Sequence, residues 1–239
     1  MIRPALYCIP TPLGGKISPV LPEATRSVIH GVRHFVAENA KSARAFLADA
    51  GVPGPMSALS IYELEQNAEP GVVRALLEPL RKGTPLGLIS EAGCPAIADP
   101  GAGLVEAAHR EGLPVVPLVG PSSIVLALMA SGLEGQRFAF CGYLPRKPEA
   151  RKQAIVSIER RSRVERETQI FIETPYRNDA MVSSLLATCA PSTRLCFASD
   201  LTLAGELVRM RTVDQWRHSP PSMDKRPTVF LLLAKPPGS

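Results

Sequence analysis

Apolar and polar positions alternate between two rhythms along the first half of this chain. Short apolar runs bounded by Pro and Gly have the length and composition of buried strands. They are ALYCIP (5–10), HFVAE (34–38), MSALSIY (56–62), PLGLIS (85–90) and LPVVPLV (113–119). Between them, apolar residues recur at helical spacing over 23–30, 39–51, 70–81 and 101–112. Asn39 suits a helix N-cap, and Gly51 and Gly112 suit the position just past a helix end. Regular strand–helix alternation predicts a mostly parallel sheet covered by helices.

The rhythm changes near Gly120. SSIVLALMASG (122–132) predicts a helix and FAFCGYL (138–144) a strand. A charged helix follows over 148–161, then the strand TQIFIE (168–173) and the helix RNDAMVSSLLATC (177–189). RLCFAS (194–199), GELVRMRTV (205–213) and PTVFLLLA (227–234) read as the last strands. PPSMDKRP (220–227) is the expected turn between the final two, and the PPGS tail (236–239) is expected to fray. More strands and fewer crossovers predict a mixed sheet. No internal repeat is visible. Two α/β domains are expected, 1–119 and 120–239.

At 239 residues and 45% hydrophobic, the chain is large enough for two such cores. No apolar run reaches the ~18–20 residues of a spanning helix. The opening MIRPALYCIPTPLGG lacks the form of a signal peptide, so a cytoplasmic protein with no membrane association is expected. The five cysteines, Cys8, Cys94, Cys141, Cys189 and Cys196, are odd in number and never spaced C-x-x-C. A disulfide framework and a zinc site are therefore not expected. The window from Arg146 to Arg166 holds eight basic and three acidic residues, an excess equal to the +5 of the whole chain. Such a patch is either a polyanion footprint or a solvated helix face.

Four stretches carry candidate chemistry. In LISEAGCPAIADPGAGLV (88–105), a buried strand runs into small residues that let a ligand approach the backbone. It is neither a Walker loop nor G-x-G-x-x-G, and as composition it could equally be a long turn-rich loop. In PLVGPSSIVLALMASGL (117–133), Ser122 could cap a helix or help present its N-terminus to a polar ligand group. CGYLPRKPEAR (141–151) opens the basic patch. IFIETPYRN (170–178) delivers Glu173, Tyr176 and Arg177 to a strand end, where Glu173 and Arg177 could also form a structural ion pair.

Taken together, these blocks resemble the tetrapyrrole methylase superfamily, and within it the 16S rRNA 2′-O-ribose methyltransferase I family. The family's P-T-P-x-G-N appears as Pro10-Thr11-Pro12-Leu13-Gly14-Gly15. Its S-D-A-G-x-P-x-x-x-D-P-G appears as Ser90-Glu91-Ala92-Gly93-Cys94-Pro95 and then Asp99-Pro100-Gly101. Its P-G-P-S matches Val119-Gly120-Pro121-Ser122, and its G-F-L-P-x-K-x-x-x-R matches Gly142-Tyr143-Leu144-Pro145-Arg146-Lys147 with Arg151. F-Y-E-S-P-H-R appears as Phe171-Ile172-Glu173-Thr174-Pro175-Tyr176-Arg177, and E-L-T as Asp200-Leu201-Thr202. The order holds from Leu6 to about Leu233.

The resemblance implies a two-domain class III methyltransferase fold, with S-adenosyl-L-methionine in the interdomain cleft and often a homodimer. It implies cofactor contacts at Pro12, Glu91, Ala92, Gly93, Ala96 and Ile97. Ser122 and Ser123 would follow at the hinge, then Glu173 and Leu201. The implied reaction is 2′-O-ribose methylation of ribosomal RNA. A hydroxyl acceptor must lose a proton, so a base and a cation are expected beside it. Glu38 or Glu91 would serve as base, and Lys147 or Arg177 as cation. Three departures stand out. Ala37-Glu38-Asn39-Ala40-Lys41 replaces the family's A-E-D-T-R, Glu91 replaces Asp, and the chain stops after its last strand where the family carries a further helical segment. Two other functions fit the blocks: a C-methyltransferase acting on a tetrapyrrole, and a non-catalytic module binding the cofactor or RNA.

Overall fold

The computed structural model describes residues 2–17, 19–223 and 225–236. Pro237 to Ser239 of the expected frayed tail, and Asp224 of the expected 220–227 turn, lie outside the described residues. The chain divides into two compact units, Met1–Ser122 and Ser123–Ser239.

In the first unit the apolar runs become β1 (Leu6–Ile9), β2 (His34–Ala37), β3 (Ser60–Glu63), β4 (Leu86–Ile89) and β5 (Val115–Pro117). They form one sheet of order β3-β2-β4-β1-β5, and every pairing is parallel. The helices are α1 (Glu23–Gly31), α2 (Ala40–Asp49), α3 (Pro70–Ala75), α4 (Glu78–Arg81) and α5 (Ala102–Arg110). Side chains on a strand alternate between faces, and two separate cores follow. Tyr7, Ile9, Phe35 and Ala37 pack with Ile29 of α1 and Leu47 of α2. Leu6, Val36, Leu86 and Leu88 pack with Leu80 of α4 and Leu104 of α5. Helices after β1 and β2 thus cover one face, and those after β3 and β4 the other. β4, flanked by β2 and β1, marks the point where the direction of the crossovers reverses. In open α/β sheets, ligands bind beyond the strand ends at such a point.

The second unit opens with α6 (Ser123–Ser131) and continues with β6 (Phe138–Tyr143), α7 (Pro148–Glu165), β7 (Thr168–Ile172) and α8 (Asn178–Thr188). β8 (Arg194–Ser199), β9 (Leu207–Thr212), α9 (Val213–His218) and β10 (Thr228–Leu233) complete it. Its sheet has order β6-β7-β10-β8-β9. β6 and β7 are parallel, and the other pairs are antiparallel. α6 packs on β8, β9 and β10. On the opposite face Phe171, Phe197 and Phe230 pack with Ile155 of α7, Leu185 of α8 and Trp216 of α9.

Several element boundaries differ from the expectations. The helix expected over 70–81 is two. Pro79 has no N–H to give Ala75, and its ring would crowd that carbonyl, so the chain stops and restarts at Glu78. Met56–Ala58 is a short 3-10 turn, and the strand begins only at Ser60. α7 runs beyond Arg161 to Glu165, where Arg166 closes it with a left-handed backbone (φ 53°). α9 interrupts the expected run of strands. Thr212 and Gln215 close it with a reciprocal capping box, whose T-x-x-Q spacing is present in the sequence. The five cysteines are free. Cys189 and Cys196 are fully buried, and Cys8 and Cys141 pack against the cores.

One close approach in the first sheet depends on glycine. A Cβ on Gly87 would sit 2.7 Å from both Ile9 Cδ1 and Phe35 Cδ1. Both neighbours are fully buried and cannot swing away. Gly87→Ala is expected to lower stability by about 1–3 kcal/mol, the usual range for overpacking. Urea unfolding checks this, and an unchanged midpoint would show that the core yields.

Candidate active site

All five strands of the first unit point the same way, so their carboxyl ends line one edge. Three loops are bonded together there. Thr11, after β1, pairs with Gly93, after β4: Thr11 N donates to Gly93 O at 2.9 Å, and Gly93 N to Thr11 O at 3.1 Å. The buried Ser90 hydroxyl donates to the same Gly93 carbonyl at 2.7 Å. Gly93 holds φ +77°, and a Cβ there would press on Leu13 Cδ2 at 3.2 Å. The third loop follows β5. Cys94 Sγ lies 3.5 Å from Pro121 O, and the Thr25 hydroxyl donates to Val119 O at 2.7 Å.

A second connection reaches α2. Asn39 is its N-cap, as expected, and accepts from Lys41 N at 2.9 Å and Ser42 N at 3.2 Å. The Ser42 hydroxyl donates to Glu91 Oε1 at 2.6 Å. Glu91 is therefore anchored at a helix N-terminus, where a carboxylate is favoured. Between these elements lies a cleft of about 270 Å³, lined by Pro12, Gly14, Gly15, Ser42, Phe46 and Glu91 among others.

Pro12, Glu38, Glu91, Ala92, Gly93, Ala96 and Ile97 thus gather at one edge. Ala96 and Ala98 both sit at φ 65°, a conformation uncommon for non-glycine residues. Sequence reasoning passed over Asp99. It is half-buried, and its carboxyl is pushed up to about 6, first by burial and then by the charges of Glu38 and Glu91. A carboxyl in that range suits proton acceptance near neutral pH. The D-P-G block contained it, but its shift comes first from burial and then from the charges gathered at this edge, which the block itself does not spell out.

In the second unit β6, β7 and β8 run parallel to one another, so their carboxyl ends also share an edge. Lys147 lies in the chain leaving β6 and is the residue before α7. Glu173 follows β7 with a fully buried side chain. Its Oε1 accepts from Thr174 N at 2.6 Å, Thr174 Oγ1 at 3.2 Å and Arg177 Nη2. Burial alone would raise this carboxyl, but the Arg177 guanidinium and the Thr174 bonds hold it below the usual range. The ion pair foreseen between Glu173 and Arg177 is therefore formed. Leu201 is buried between Asp200 (φ 49°) and Thr202 (φ 71°). Ser122 ends the first unit and Ser123 opens α6 of the second.

This second edge also concentrates unsatisfied polar atoms. Among the described residues, five buried side-chain polar atoms lack a hydrogen-bond partner, and four lie here: Glu173 Oε2, Arg177 Nε, Asn178 Oδ1 and Thr202 Oγ1. Asn178 is fully buried, and only its Nδ2 is bonded, to Arg226 O at 2.7 Å. Nothing in the sequence singled out Asn178 or Thr202, apart from the latter's place in the Asp200-Leu201-Thr202 block.

The basic patch is smaller than its composition suggested. Arg151 is buried and donates to Ser184 Oγ at 2.9 Å. Arg161 pairs with Glu167 at 2.6 Å, and Arg163 lies 3.8 Å from Glu159. The exposed remainder includes Arg146, Lys147, Lys152 and Arg160. No group of three or more His, Cys, Asp or Glu able to hold a metal occurs among the described residues.

The Ribosomal RNA small subunit methyltransferase I of Vibrio cholerae is 33% identical over 208 residues, covering 86% of this chain and 68% of the relative. That of Haemophilus influenzae is 30% identical over 97% of this chain and 79% of its own length. The chain belongs to the ribosomal RNA small subunit methyltransferase I family. It is thereby a member of a methyltransferase family. No family model matches the chain. Among solved structures, diphthine synthase superposes with a TM-score of 0.66 over 97% of this chain and 90% of its own, at 16% identity. The methyltransferase CobJ gives 0.62 over 96% and 94%, at 14% identity. These two share the two-domain tetrapyrrole methylase fold, with one parallel and one mixed sheet.

Two outcomes follow. Asp99 holds its proton more tightly folded than unfolded, so its ionisation costs stability as pH rises from about 4 to about 6. Asp99→Asn should match wild type in stability below pH ~4 and gain on it through that window, levelling above pH ~6. Urea midpoints against pH measure this, and a pH-independent difference would contradict the assigned shift. Arg177→Ala leaves the buried Glu173 carboxylate without its cation and should lower stability. Adding Glu173→Gln should recover part of that loss in the same denaturation assay.

Proposed function

We propose that this protein is an S-adenosyl-L-methionine-dependent methyltransferase that modifies small-subunit ribosomal RNA at a ribose 2′-hydroxyl. Relatedness carries the reading: the relatives named above are ribosomal RNA small subunit methyltransferases I, at 30–33% identity over most of this chain. The residues present suit the cofactor. S-adenosylmethionine has an adenine amine, a ribose diol and an ammonium group, all hydrogen-bond donors. Glu173 Oε2 and Asn178 Oδ1 are buried acceptors lacking a donor.

In the first unit Pro12, Glu91, Ala92, Gly93, Ala96 and Ile97 would hold it, with Ser122. In the second, Ser123, Glu173 and Leu201 would do so. When bound, the cofactor supplies an electrophilic methyl on a sulfonium. The chain's own contribution is orientation and exclusion of water, worth up to ~7–11 kcal/mol in favourable cases. It must also remove the hydroxyl proton. Glu38 and Glu91 were the expected bases; Asp99 fits better, because its carboxyl is pushed up to about 6. Arg177 is the better-held cation, fixed by Glu173, whereas Lys147 is exposed and free to meet a phosphate.

We take the protein to act in the cytoplasm as a homodimer. No helix among the described residues is long and apolar enough to cross a membrane.

Transfer of labelled methyl tests the function. Unmodified small ribosomal subunits and tetrapyrrole precursors are offered separately with labelled cofactor. Label in the RNA, in an alkali-resistant dinucleotide, is expected. Label in the tetrapyrrole would establish the carbon-methylating alternative, and tight cofactor binding without transfer would point to a non-catalytic module. Lys147→Ala should weaken RNA binding and reduce the slope of log affinity against log salt by roughly 0.7–0.9, the value of one phosphate contact.

A further inference from the structure

Two of the chain's four tyrosines are displayed at the carboxyl edge of the second sheet. Tyr143 is 56% exposed and Tyr176 is 68% exposed. Tyr143 ends β6 in register with Ile172 of β7, so it stands beside the strand that leads into Glu173. Tyr176 lies in the 3-10 turn Pro175–Arg177. Arg177 is near both rings, and both tyrosines add to its hold on its proton. Its guanidinium carbon is 5.1 Å from the Tyr176 ring centroid. Its Nη1 donates to the Tyr176 hydroxyl at 3.2 Å and its Nη2 to buried Glu173. The guanidinium plane is thus fixed from two sides.

Exposed aromatic rings grouped with cations offer a surface on which a planar ligand can stack. Here it is interleaved with cations, since Arg146 and Lys147 follow Tyr143 by three and four positions and are exposed. Sequence-specific recognition of RNA works largely on unpaired bases, stacked on Tyr rings and Arg planes while nearby cations meet the phosphates. A ribose hydroxyl on an unpaired nucleotide is also the more open to reaction.

We propose that Tyr143 and Tyr176, flanking Arg177, form a stacking platform for an unpaired base of the RNA substrate, with Arg146 and Lys147 contacting the adjoining phosphates. This rests on the reading of RNA as the methyl acceptor. Tyr176 and Tyr143 bind through their π-faces, and the lysine and arginines bind through charge. The two contributions respond differently to salt.

Binding of a short single-stranded RNA carrying 2-aminopurine, and methyl transfer to unmodified small-subunit RNA, test the platform together. Tyr176→Ala is expected to weaken binding roughly 5- to 150-fold, the range for one lost base stack. It should raise KM more than it lowers kcat, abolish the stacking quench of 2-aminopurine, and leave the salt slope unchanged. Tyr176→Phe and Tyr176→Trp, which keep a ring, should restore most of the affinity. If the wild type labels RNA and Tyr176→Ala binds as tightly, the platform is wrong and the methyltransferase reading stands. If Tyr176→Phe fails as badly as alanine, the hydroxyl and not the ring matters, and the platform is again wrong. A wild type that labels no RNA removes both readings.

Discussion

Two backbone hydrogen bonds between Thr11 and Gly93 organise the carboxyl edge of the first sheet. β1 and β4 are paired up to Ile9 and Ile89, and a parallel ladder would ordinarily release its chains there into separate loops. Here an antiparallel Thr11–Gly93 bridge joins the two loops just past the strand ends. Ser90 adds a third bond to the same carbonyl. The loop from Glu91 to Gly101 must then turn sharply from that fixed point. Gly93 absorbs part of the turn at positive φ, and Ala96 and Ala98 absorb more. A side chain at Gly93 would press on Leu13 and one at Gly101 on Leu88, so those two points of the path require glycine.

Charge is distributed unequally over the two strand edges. In the first unit Glu38, Glu91 and Asp99 accumulate negative charge, partly relieved by the α2 N-terminus beside Glu91. Asp99 bears the consequence, since it is the most enclosed of the three. In the second unit the buried carboxylate of Glu173 is neutralised locally by Arg177, and the cations beyond it are exposed. The sulfonium charge of a methyl donor disappears on transfer, so carboxylates packed tightly against it would hold the ground state more than the transition state. Asp99, pushed up to about 6, is ionised above that pH and is then a stronger base than an ordinary carboxylate.

Most of the expectations that held rest on local signals. Strand positions, the Asn39 cap, the parallel and mixed character of the sheets, and the Glu173–Arg177 pair are each written within a few residues. Even the missed α9 announces itself locally, through Thr212 and Gln215, and the break before Glu78 through Pro79. What could not be read depends on pairing across the chain. Arg151 looks like part of a basic face until Ser184, 33 residues away, is seen to receive it. Asp99 looks like a turn residue until the sheet order brings Glu38 and Glu91 to its edge. Asn178 has no local signature at all, because its meaning lies in an oxygen that nothing in the described residues satisfies.

That oxygen and its neighbours bear on the whole assignment. A buried hydrogen-bonding group left unpaired costs roughly 1–3 kcal/mol, and native proteins keep few of them. Chance placement would scatter such atoms over both cores. Instead Glu173 Oε2, Arg177 Nε, Asn178 Oδ1 and Thr202 Oγ1 share one strand edge, together with the strained backbone at Asp200 and Thr202. A fold of net stability near ~5–15 kcal/mol can retain a cluster of that cost only if the rest of the unit is well packed. The apolar layer of Phe171, Phe197, Phe230 and Trp216 directly beneath it supplies that packing. The second sheet therefore carries a polar edge that its own described residues leave incomplete, above a well-packed apolar layer.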